Sequence, residues 1–277
     1  MLHQLIHLNE VYPLLGEDGK DPTLTLYLPY NMTEMGRQDQ KRPCMLILPG
    51  GGYGFCSQRE SEPIALHFLP LGYNVFILNY SVAPNRFPTQ LREVAAAMEM
   101  IHTNADAWNC DTGRVAILGF SAGGHLAANY TVGYDWPEVR EMFPGSKAVG
   151  ASVLCYPVIS ADPKVAHHGS FENLLGHYPL SAQESARFSC HEQVTDRTPP
   201  AFLWHTSEDT CVPVANSLLY AQALAAHGIQ FALHVYPAGG HGLSTVDAQT
   251  NDAVSPAVSH AADWLEAVGK WLKIVFA

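Results

Sequence analysis

The stretch RVAILGFSAGGHLAA, residues 114–128, joins a run of apolar strand formers directly to a run of helix formers. The change falls at Ser121, which has Gly119 two residues before it and Gly123 two residues after it. A strand that turns sharply into a helix presents the side chain at the turn, and small residues two positions away relieve the crowding that the turn creates. The pattern therefore predicts a strand, a sharp turn at Ser121 and a helix.

Apolar runs of strand length alternate with helical patterns along most of the chain. Further strands are predicted at residues 45–48, 73–80, 149–156, 201–206 and 231–236. Helices are predicted at residues 62–71, 91–101, 217–226 and 257–274. Continuous apolar strands separated by helices are typical of a mostly parallel sheet covered on both faces, which is the α/β class. Residues 5–11 and 23–28 follow one another without a helix, which predicts an antiparallel entry to the sheet.

The chain of 277 residues reads as one domain, residues 1–277. Its hydrophobic content of 47% is enough for one sizeable core. No linker-like, low-complexity or repeated segment interrupts it. Residues 160–198 differ, because they are polar, rich in His and Ser, and weakly periodic. We expect them to form a small, cap-like insertion above the carboxyl edge of the sheet, where ligand sites of α/β proteins lie.

Composition excludes several classes of function. The formal net charge is −11 with 15 Lys and Arg, and no basic segment is present for nucleic acid to bind. The N-terminus lacks a cationic start, and no apolar run is long enough to span a bilayer, so we expect a cytoplasmic protein without membrane contact. The six cysteines form no CxxC pair, which favours reduced, buried thiols over a zinc site or a disulfide framework. A homo-oligomer is left open.

The order of three residue types along the chain indicates nucleophilic catalysis. After the predicted strand at 201–206 comes the acidic pair Glu208-Asp209, and His241 follows the strand at 231–236. A serine hydroxyl needs a base to take its proton, and an acid orients that base. The order Ser121, acid, His241 is the one that α/β-hydrolases use. Asp209 is the expected acid, with Glu208 left as its competitor.

A triple glycine, in the segment PGGGY at residues 49–53, follows an early strand. Glycines let backbone N–H groups approach a developing oxyanion, so Gly51, Gly52 and Ala122 are the candidate donors. The alternative is a flexible turn without chemistry. Tyr53 and Tyr156 follow strand ends and are candidates to line the substrate pocket, or else pack at the sheet edge.

Of the 13 histidines other than His241, several are interpreted as structural. His205 and His234 lie within predicted strands, and His125 lies one turn into the helix after Ser121. The pair His167-His168 lies in the insertion, where it is a candidate to contact substrate or a metal, but its spacing matches no metal-binding motif. We therefore expect neither a metal nor a cofactor.

Six segments together resemble bacterial carboxylesterases of the acetyl-xylan-esterase-like, hormone-sensitive-lipase-related group. They are LPGGGYGFCSQRE (48–60), GFSAGGHLAA (119–128), YPVIS (156–160), FENLLG (171–176), TPPAFLWHTSEDTCVPVANSLLY (198–220) and GGHGL (239–243). The resemblance implies the α/β-hydrolase fold and a triad of Ser121, Asp209 and His241. It also implies short acyl substrates such as acetylated sugars or xylan fragments. Relatives with an HGGG motif have a His where this chain has Pro49, which favours the esterase branch over the lipase branch.

The function expected from these features is hydrolysis of a small-molecule ester through an acyl-enzyme. Two alternatives stay open at this point. One is an exopeptidase of the prolyl-oligopeptidase type, whose catalytic domains share this order of motifs but which needs a site for a charged peptide terminus. The other is a non-catalytic ligand receptor on a hydrolase scaffold, which usually has a damaged triad.

Overall fold

In the computed structural model, which describes residues 1–15 and 21–277, eight strands form one sheet. They are β1 (Leu2–His7), β2 (Thr23–Leu28), β3 (Arg42–Leu48), β4 (Asn74–Asn79), β5 (Cys110–Phe120), β6 (Ala151–Cys155), β7 (Ala201–Thr206) and β8 (Phe231–Tyr236). Their order across the sheet is β1-β2-β4-β3-β5-β6-β7-β8. Strands β3 to β8 run parallel, whereas β2 pairs antiparallel with both β1 and β4. The predicted antiparallel entry to a parallel sheet is confirmed.

Helices lie between and after the strands, and most of them connect consecutive parallel strands. They are α1 (Leu8–Val11), α2 (Glu62–Phe68), α3 (Thr89–Thr103), α4 (Ser121–Gly133), α5 (Pro137–Arg140), α6 (His168–Leu175), α7 (Ala182–Phe188), α8 (Ala215–Ala226), α9 (Pro256–Ser259) and α10 (Asp263–Val275). Short 3-10 turns extend several of them, such as Leu69–Leu71 after α2 and His260–Ala262 before α10. Within the described ranges, no helix is long and apolar enough to cross a membrane.

The sheet separates two cores, because alternate residues of each strand point to opposite faces. On one face, Leu46 and Ile117 pack with buried residues of α3, α4 and α8. On the other face, Met45 and Leu118 pack with residues of α2 and α10. The central strands are buried on both faces, which explains why their sequences are continuous apolar runs rather than alternating ones. The predicted fold class is confirmed.

Among the predicted boundaries that differ from the structure are those of the first strand and of β5. The first strand ends at His7 rather than at residue 11, and the chain turns there into α1, which carries the fully buried Leu8 into the core. Strand β5 begins at Cys110 rather than at residue 114, and it has an irregularity near its start. Arg42 pairs with Cys110, whereas Cys44 pairs with Val115. The extra residues turn locally, because the Asp111 carboxylate accepts a hydrogen bond from the N–H of Gly113 at 3.0 Å.

The cysteines lie mostly in the core. Four of the six are buried, namely Cys44, Cys110, Cys155 and Cys190, and all six are free thiols. This confirms the interpretation of those four as small apolar residues. Cys211 differs, because it is exposed.

A buried histidine joins the insertion to the helix that follows Ser121. His125 is fully buried, and its Nε2 lies 2.9 Å from the carbonyl oxygen of Phe188 at the end of α7. Its Nδ1 lies 2.8 Å from the hydroxyl of Tyr53. Since a carbonyl can only accept, Nε2 carries the proton and Nδ1 accepts from Tyr53. The neutral ring therefore satisfies both neighbours, in agreement with its interpretation as a structural residue.

This arrangement makes stability depend on pH in a defined direction. Burial lowers the pKa of His125 to about 4, below the value of about 6.5 for an unfolded chain. The stabilisation is complete above the unfolded pKa and is lost as the pH falls toward the folded pKa. Between pH 7 and pH 5 the wild-type chain should lose about 2 kcal/mol through this residue. His125→Gln should lower the free energy of unfolding at pH 7 but remove most of that pH-dependent loss, as measured by urea unfolding at both pH values.

His227→Gln is the control, because His227 is a partly exposed histidine at the end of α8. It should leave the difference between the two pH values unchanged. A His125→Gln chain that loses as much stability between pH 7 and pH 5 as wild type would contradict the assignment.

Candidate active site

The site is built on the turn from β5 to α4. Ser121 is the first residue of α4 and has a φ of +52°, which a residue with a side chain adopts only at a strained turn. A Cβ atom at Gly123 would collide with the carbonyl oxygens of Leu48 and Pro49, and one at Gly119 would collide with the backbone of Gly123. Both glycines are therefore required by close backbone packing, as the sequence pattern predicted.

Three side chains from separate loops form a chain of hydrogen bonds. His241 Nε2 lies 2.8 Å from Ser121 Oγ, and His241 Nδ1 lies 2.6 Å from Asp209 Oδ2. Because an ionised carboxylate can only accept, Nδ1 carries the proton and Nε2 is free to accept the proton of the serine hydroxyl. Asp209 follows β7 and His241 follows β8, so adjacent parallel strands deliver both to the same edge of the sheet. This arrangement can move a proton from Ser121 to His241.

The structure distinguishes the two acidic candidates. Glu208 Oε2 accepts a hydrogen bond from the N–H of Gly239 at 3.0 Å, which ties the loop after β7 to the loop that carries His241. Asp209, and not Glu208, is hydrogen-bonded to the imidazole. The side chain of Asp209 is fully buried, so solvent does not compete for its oxygens.

A second histidine contacts the acid. His205 Nε2 lies 3.3 Å from Asp209 Oδ2 and 2.8 Å from the carbonyl oxygen of Val212. Burial alone would raise the pKa of Asp209, but hydrogen bonds from His205 and His241 outweigh it and lower the pKa. The N–H of Val212 also donates to the carboxylate, at 2.9 Å. The interpretation of His205 as a satisfied core residue holds, but the sequence did not reveal that it touches the acid.

The glycine loop faces the same cavity as Ser121. Gly51 and Gly52 have φ values of +128° and +61°. Their carbonyl oxygens accept hydrogen bonds from the N–H of Gly54 at 2.9 Å and from Nδ2 of Asn173 at 2.8 Å. Among the described residues, no acceptor takes the N–H groups of Gly51 or Gly52. Ala122 lies in the first turn of α4, where an N–H has no partner within the helix.

A cavity of about 420 Å³ opens above the serine. Ser121 and His241 lie in its wall, and the side chain of His241 is 20% exposed. The glycine loop and the insertion complete the wall, together with residues that follow the loop; they include Gly51, Gly52, Phe55, Arg59, His167 and Asn173. The insertion therefore contributes directly to the cavity.

The two tyrosines predicted to line the pocket lie elsewhere. Tyr53 is 1% exposed and its hydroxyl is bonded to His125, whereas Tyr156 is 2% exposed and its hydroxyl donates to Glu60 at 2.6 Å. Both have positive φ and both belong to the buried core clusters. Contrary to the expectation, neither side chain is in the described cavity wall. The ring of Tyr156 instead packs edge-on against His241, with centroids 5.0 Å apart.

The two histidines of the insertion have different surroundings. His167 lies in the cavity wall, and its Nδ1 is 2.8 Å from the hydroxyl of Ser170. His168 stacks on Tyr178 with ring centroids 4.3 Å apart. In the parts of the chain that the structure describes, no group of three or more His, Cys, Asp or Glu has an arrangement that could hold a metal ion.

Comparison with known proteins shows that the chain is similar to proteins named as esterases and as a xylanase. The family model BD-FAE matches residues 24–224. A protein named endo-1,4-beta-xylanase B from Butyrivibrio fibrisolvens is 37% identical over 80% of this chain and 35% of its own length. A protein named acetylxylan esterase from Xylanibacter ruminicola is 32% identical over 82% of this chain and 45% of its own length. The chain thus spans between a third and a half of these two relatives.

A solved structure matches over nearly its whole length. The acetyl ester-xyloside bifunctional hydrolase from Caldicellulosiruptor lactoaceticus has a TM-score of 0.83 and 34% sequence identity to this chain. The match covers 98% of this chain and 96% of that one. It confirms the α/β-hydrolase fold and the family resemblance predicted from the sequence.

The position of the acid leads to a direct test. Asp209→Asn should lower kcat for p-nitrophenyl acetate by about 10⁴-fold, because an amide at this position favours the wrong imidazole tautomer. Glu208→Gln should stay within about threefold of wild type, since it changes only a loop contact. Steady-state kinetics on both variants, with circular dichroism to check folding, measures the difference. A larger loss in Glu208→Gln than in Asp209→Asn would contradict the assignment of the acid.

Proposed function

The chain belongs to the BD-FAE family of α/β-hydrolases, and we propose that it is a serine carboxylesterase that hydrolyses short-chain esters through an acyl-enzyme. The observation that carries the proposal is the hydrogen-bonded series Ser121, His241 and Asp209 beside the free N–H groups of Gly51 and Gly52. A nucleophile with a base and an oriented acid, next to preorganised donors, is the arrangement that acyl transfer requires.

In the first half-reaction, Ser121 Oγ attacks the ester carbonyl carbon while His241 Nε2 takes the hydroxyl proton. The carbonyl oxygen becomes an oxyanion, and the N–H groups of Gly51, Gly52 and Ala122 donate to it. Asp209 stabilises the imidazolium, and its lowered pKa keeps it ionised at neutral pH. The imidazolium then gives the proton to the alcohol oxygen as the ester C–O bond breaks, which leaves the acyl group on Ser121.

In the second half-reaction, water takes the place of the alcohol. His241 Nε2 removes a proton from the water as its oxygen attacks the acyl carbon. The same N–H groups hold the second oxyanion. Collapse of this intermediate breaks the bond to Ser121 Oγ, which regains its proton from His241, and the acid product leaves.

For the substrate, we propose acetyl esters of sugars or xylan fragments. The names of the two relatives, acetylxylan esterase and endo-1,4-beta-xylanase B, support this class. The cavity wall suits it as well. Phe55 is 62% exposed and offers an apolar face, while the guanidinium of Arg59 and the imidazole of His167 offer polar groups to hydroxyls.

The same cavity disfavours the exopeptidase alternative. A peptide ammonium group needs a free carboxylate, and Glu60 is the carboxylate that the described cavity wall contains. Its two oxygens already accept hydrogen bonds from the N–H of Gly50 and the hydroxyl of Tyr156. A non-catalytic receptor is disfavoured because every member of the triad is within hydrogen-bond distance of its neighbour.

The role of Ser121 can be tested by removing its hydroxyl. Ser121→Ala should lower kcat for p-nitrophenyl acetate by about 10⁵-fold or more, because the covalent step is lost. It should also abolish labelling by a fluorophosphonate, detected by mass spectrometry. Ser207→Ala is the control, since Ser207 is an exposed serine of the loop after β7. Activity of Ser121→Ala at the wild-type rate would overturn the serine mechanism.

The substrate class needs a panel of esters and amides. We expect kcat/KM to be highest for acetyl esters, to fall as the acyl chain of p-nitrophenyl esters lengthens beyond butyryl, and to be substantial on acetylated xylo-oligosaccharides. Acetate release, followed by chromatography, measures the last reaction. Aminoacyl-proline amides serve as the comparison, and faster cleavage of these amides than of acetyl esters would favour the exopeptidase instead.

A further inference from the structure

Glu60 is a buried carboxylate that the steps of ester hydrolysis do not use. It is 3% exposed and ends a short 3-10 turn, Gln58–Glu60, that follows the glycine loop. Oε2 accepts a hydrogen bond from the N–H of Gly50 at 2.9 Å, and Oε1 accepts one from the hydroxyl of Tyr156 at 2.6 Å. One carboxylate therefore joins the loop after β3 to the loop after β6.

Tyr156 extends this connection to the loop that carries His241. Its hydroxyl accepts a hydrogen bond at 3.0 Å from the N–H of Ser244, three residues beyond the catalytic histidine. The hydroxyl of Ser244 donates to the carbonyl oxygen of Arg59, the residue before Glu60, at 2.5 Å. The carbonyl oxygen of Ser244 accepts from Nε1 of Trp264 at 3.0 Å. The three loops thus form a closed ring of hydrogen bonds, and two of its residues, Arg59 and Glu60, lie in the cavity wall.

The donor and the acceptor of each hydrogen bond in this ring follow from which atoms carry a proton. A backbone N–H can only donate, so Tyr156 accepts from Ser244 and must give its single proton to Glu60. Gly50 also donates to Glu60. Both carboxylate oxygens therefore act as acceptors, as they do in the ionised form. Burial raises the pKa of Glu60, whereas the bonds from Tyr156 and Gly50 and the nearby His241 oppose that rise.

Burying a carboxylate is less favourable in free energy than burying an apolar side chain. Removing a charge from water is strongly unfavourable, so an apolar side chain of similar size would fill the same volume with a smaller loss of free energy. What an apolar side chain cannot do is hold two donors from different loops at fixed distances. Gly50 also shows how close the contact is, because a Cβ atom there would lie 2.7 Å from Glu60 Oε2.

We propose that Glu60 is a positioning residue for the reaction: it fixes the oxyanion loop and the His241 loop in one arrangement through its bonds to Gly50 and Tyr156. The inference rests on the proposed function. By taking the N–H of Gly50, the carboxylate orients the loop so that the next two N–H groups remain for substrate. Oxyanion donors act only when they lie about 2.7–3.1 Å from the oxyanion, and a displacement of about 1 Å can cost about 10²-fold in rate.

Glu60→Gln and Tyr156→Phe test the proposal. Glutamine has one acceptor oxygen, so it can accept from Gly50 or from Tyr156 but not from both. If it accepts from Gly50, its amide nitrogen can only donate to Tyr156, and the hydroxyl proton of Tyr156 loses its acceptor. We expect Glu60→Gln to lower kcat for p-nitrophenyl acetate by about 10–100-fold and Tyr156→Phe by about 5–20-fold, with KM within about threefold of wild type. The double variant should be little worse than Glu60→Gln, because both residues belong to one network.

The chain offers a control pair with the same kind of bond but an exposed carboxylate. The hydroxyl of Tyr27 donates to Glu62 Oε1 at 3.1 Å, which is the same chemistry two residues further along the chain and outside the cavity wall. Glu62→Gln and Tyr27→Phe should leave kcat within about twofold of wild type. Equal losses of kcat in the Glu60 and Tyr156 variants and in the Glu62 and Tyr27 variants would show a general effect on stability and would overturn the proposal.

Binding of a transition-state analogue separates positioning from simple structural support. A trifluoromethyl ketone forms a tetrahedral adduct with the serine, whereas acetate resembles the product. Glu60→Gln should weaken binding of the ketone by about the factor by which it lowers kcat. The inhibition constant of acetate should stay within about twofold of the wild-type value. Weakening of both ligands by one factor, or a loss confined to KM, would overturn the proposal.

The result also separates this inference from the proposed function. A wild-type chain without activity on any ester would reject the proposed function. An active wild type, with folded Glu60→Gln and Tyr156→Phe variants within twofold of it, would reject the role of Glu60 alone. If Glu60→Gln fails to fold, Tyr156→Phe decides, because it removes a single oxygen and keeps the packed ring.

Discussion

The contact between Gly123 and the end of β3 is the constraint on which the site depends. The carbonyl oxygens of Leu48 and Pro49 leave no space for a side chain at Gly123. This contact brings the glycine loop against the first turn of α4, where Ser121 has its strained φ of +52°. Ser121 and the glycine loop come from segments about 70 residues apart, and this close backbone packing brings them together.

Much of this arrangement was predictable because local sequence patterns determine it. The strands β7 and β8 have the predicted bounds, since each is an apolar run that ends at polar or glycine-rich residues. The order of Ser121, Asp209 and His241 follows from those strand ends. Adjacent strands of a parallel sheet finish at one edge, so residues that follow them come together without any long-range information.

The features that could not be predicted depend on contacts between residues that are distant in sequence. Tyr53 and Tyr156 were expected in the cavity wall, but at both positions the backbone has positive φ and the hydroxyl bonds to a buried group. Glu60 and His205 gave no signal, because an isolated Glu in a loop or a His within a strand has no periodic pattern. Their contacts to Gly50 and to Asp209 exist only once the sheet has formed.

The insertion also holds the glycine loop, at Gly52 rather than at Gly50, where Glu60 binds. Nδ2 of Asn173 donates to the carbonyl oxygen of Gly52, and His125 joins the adjacent Tyr53 to the end of α7. The loop is therefore held by a carboxylate at its start and by the insertion at its end. Because Asn173 also lines the cavity, a change in the insertion that altered substrate fit would alter the support of Gly52 as well. In the proposed mechanism, substrate fit and oxyanion geometry would therefore be coupled through the same few side chains.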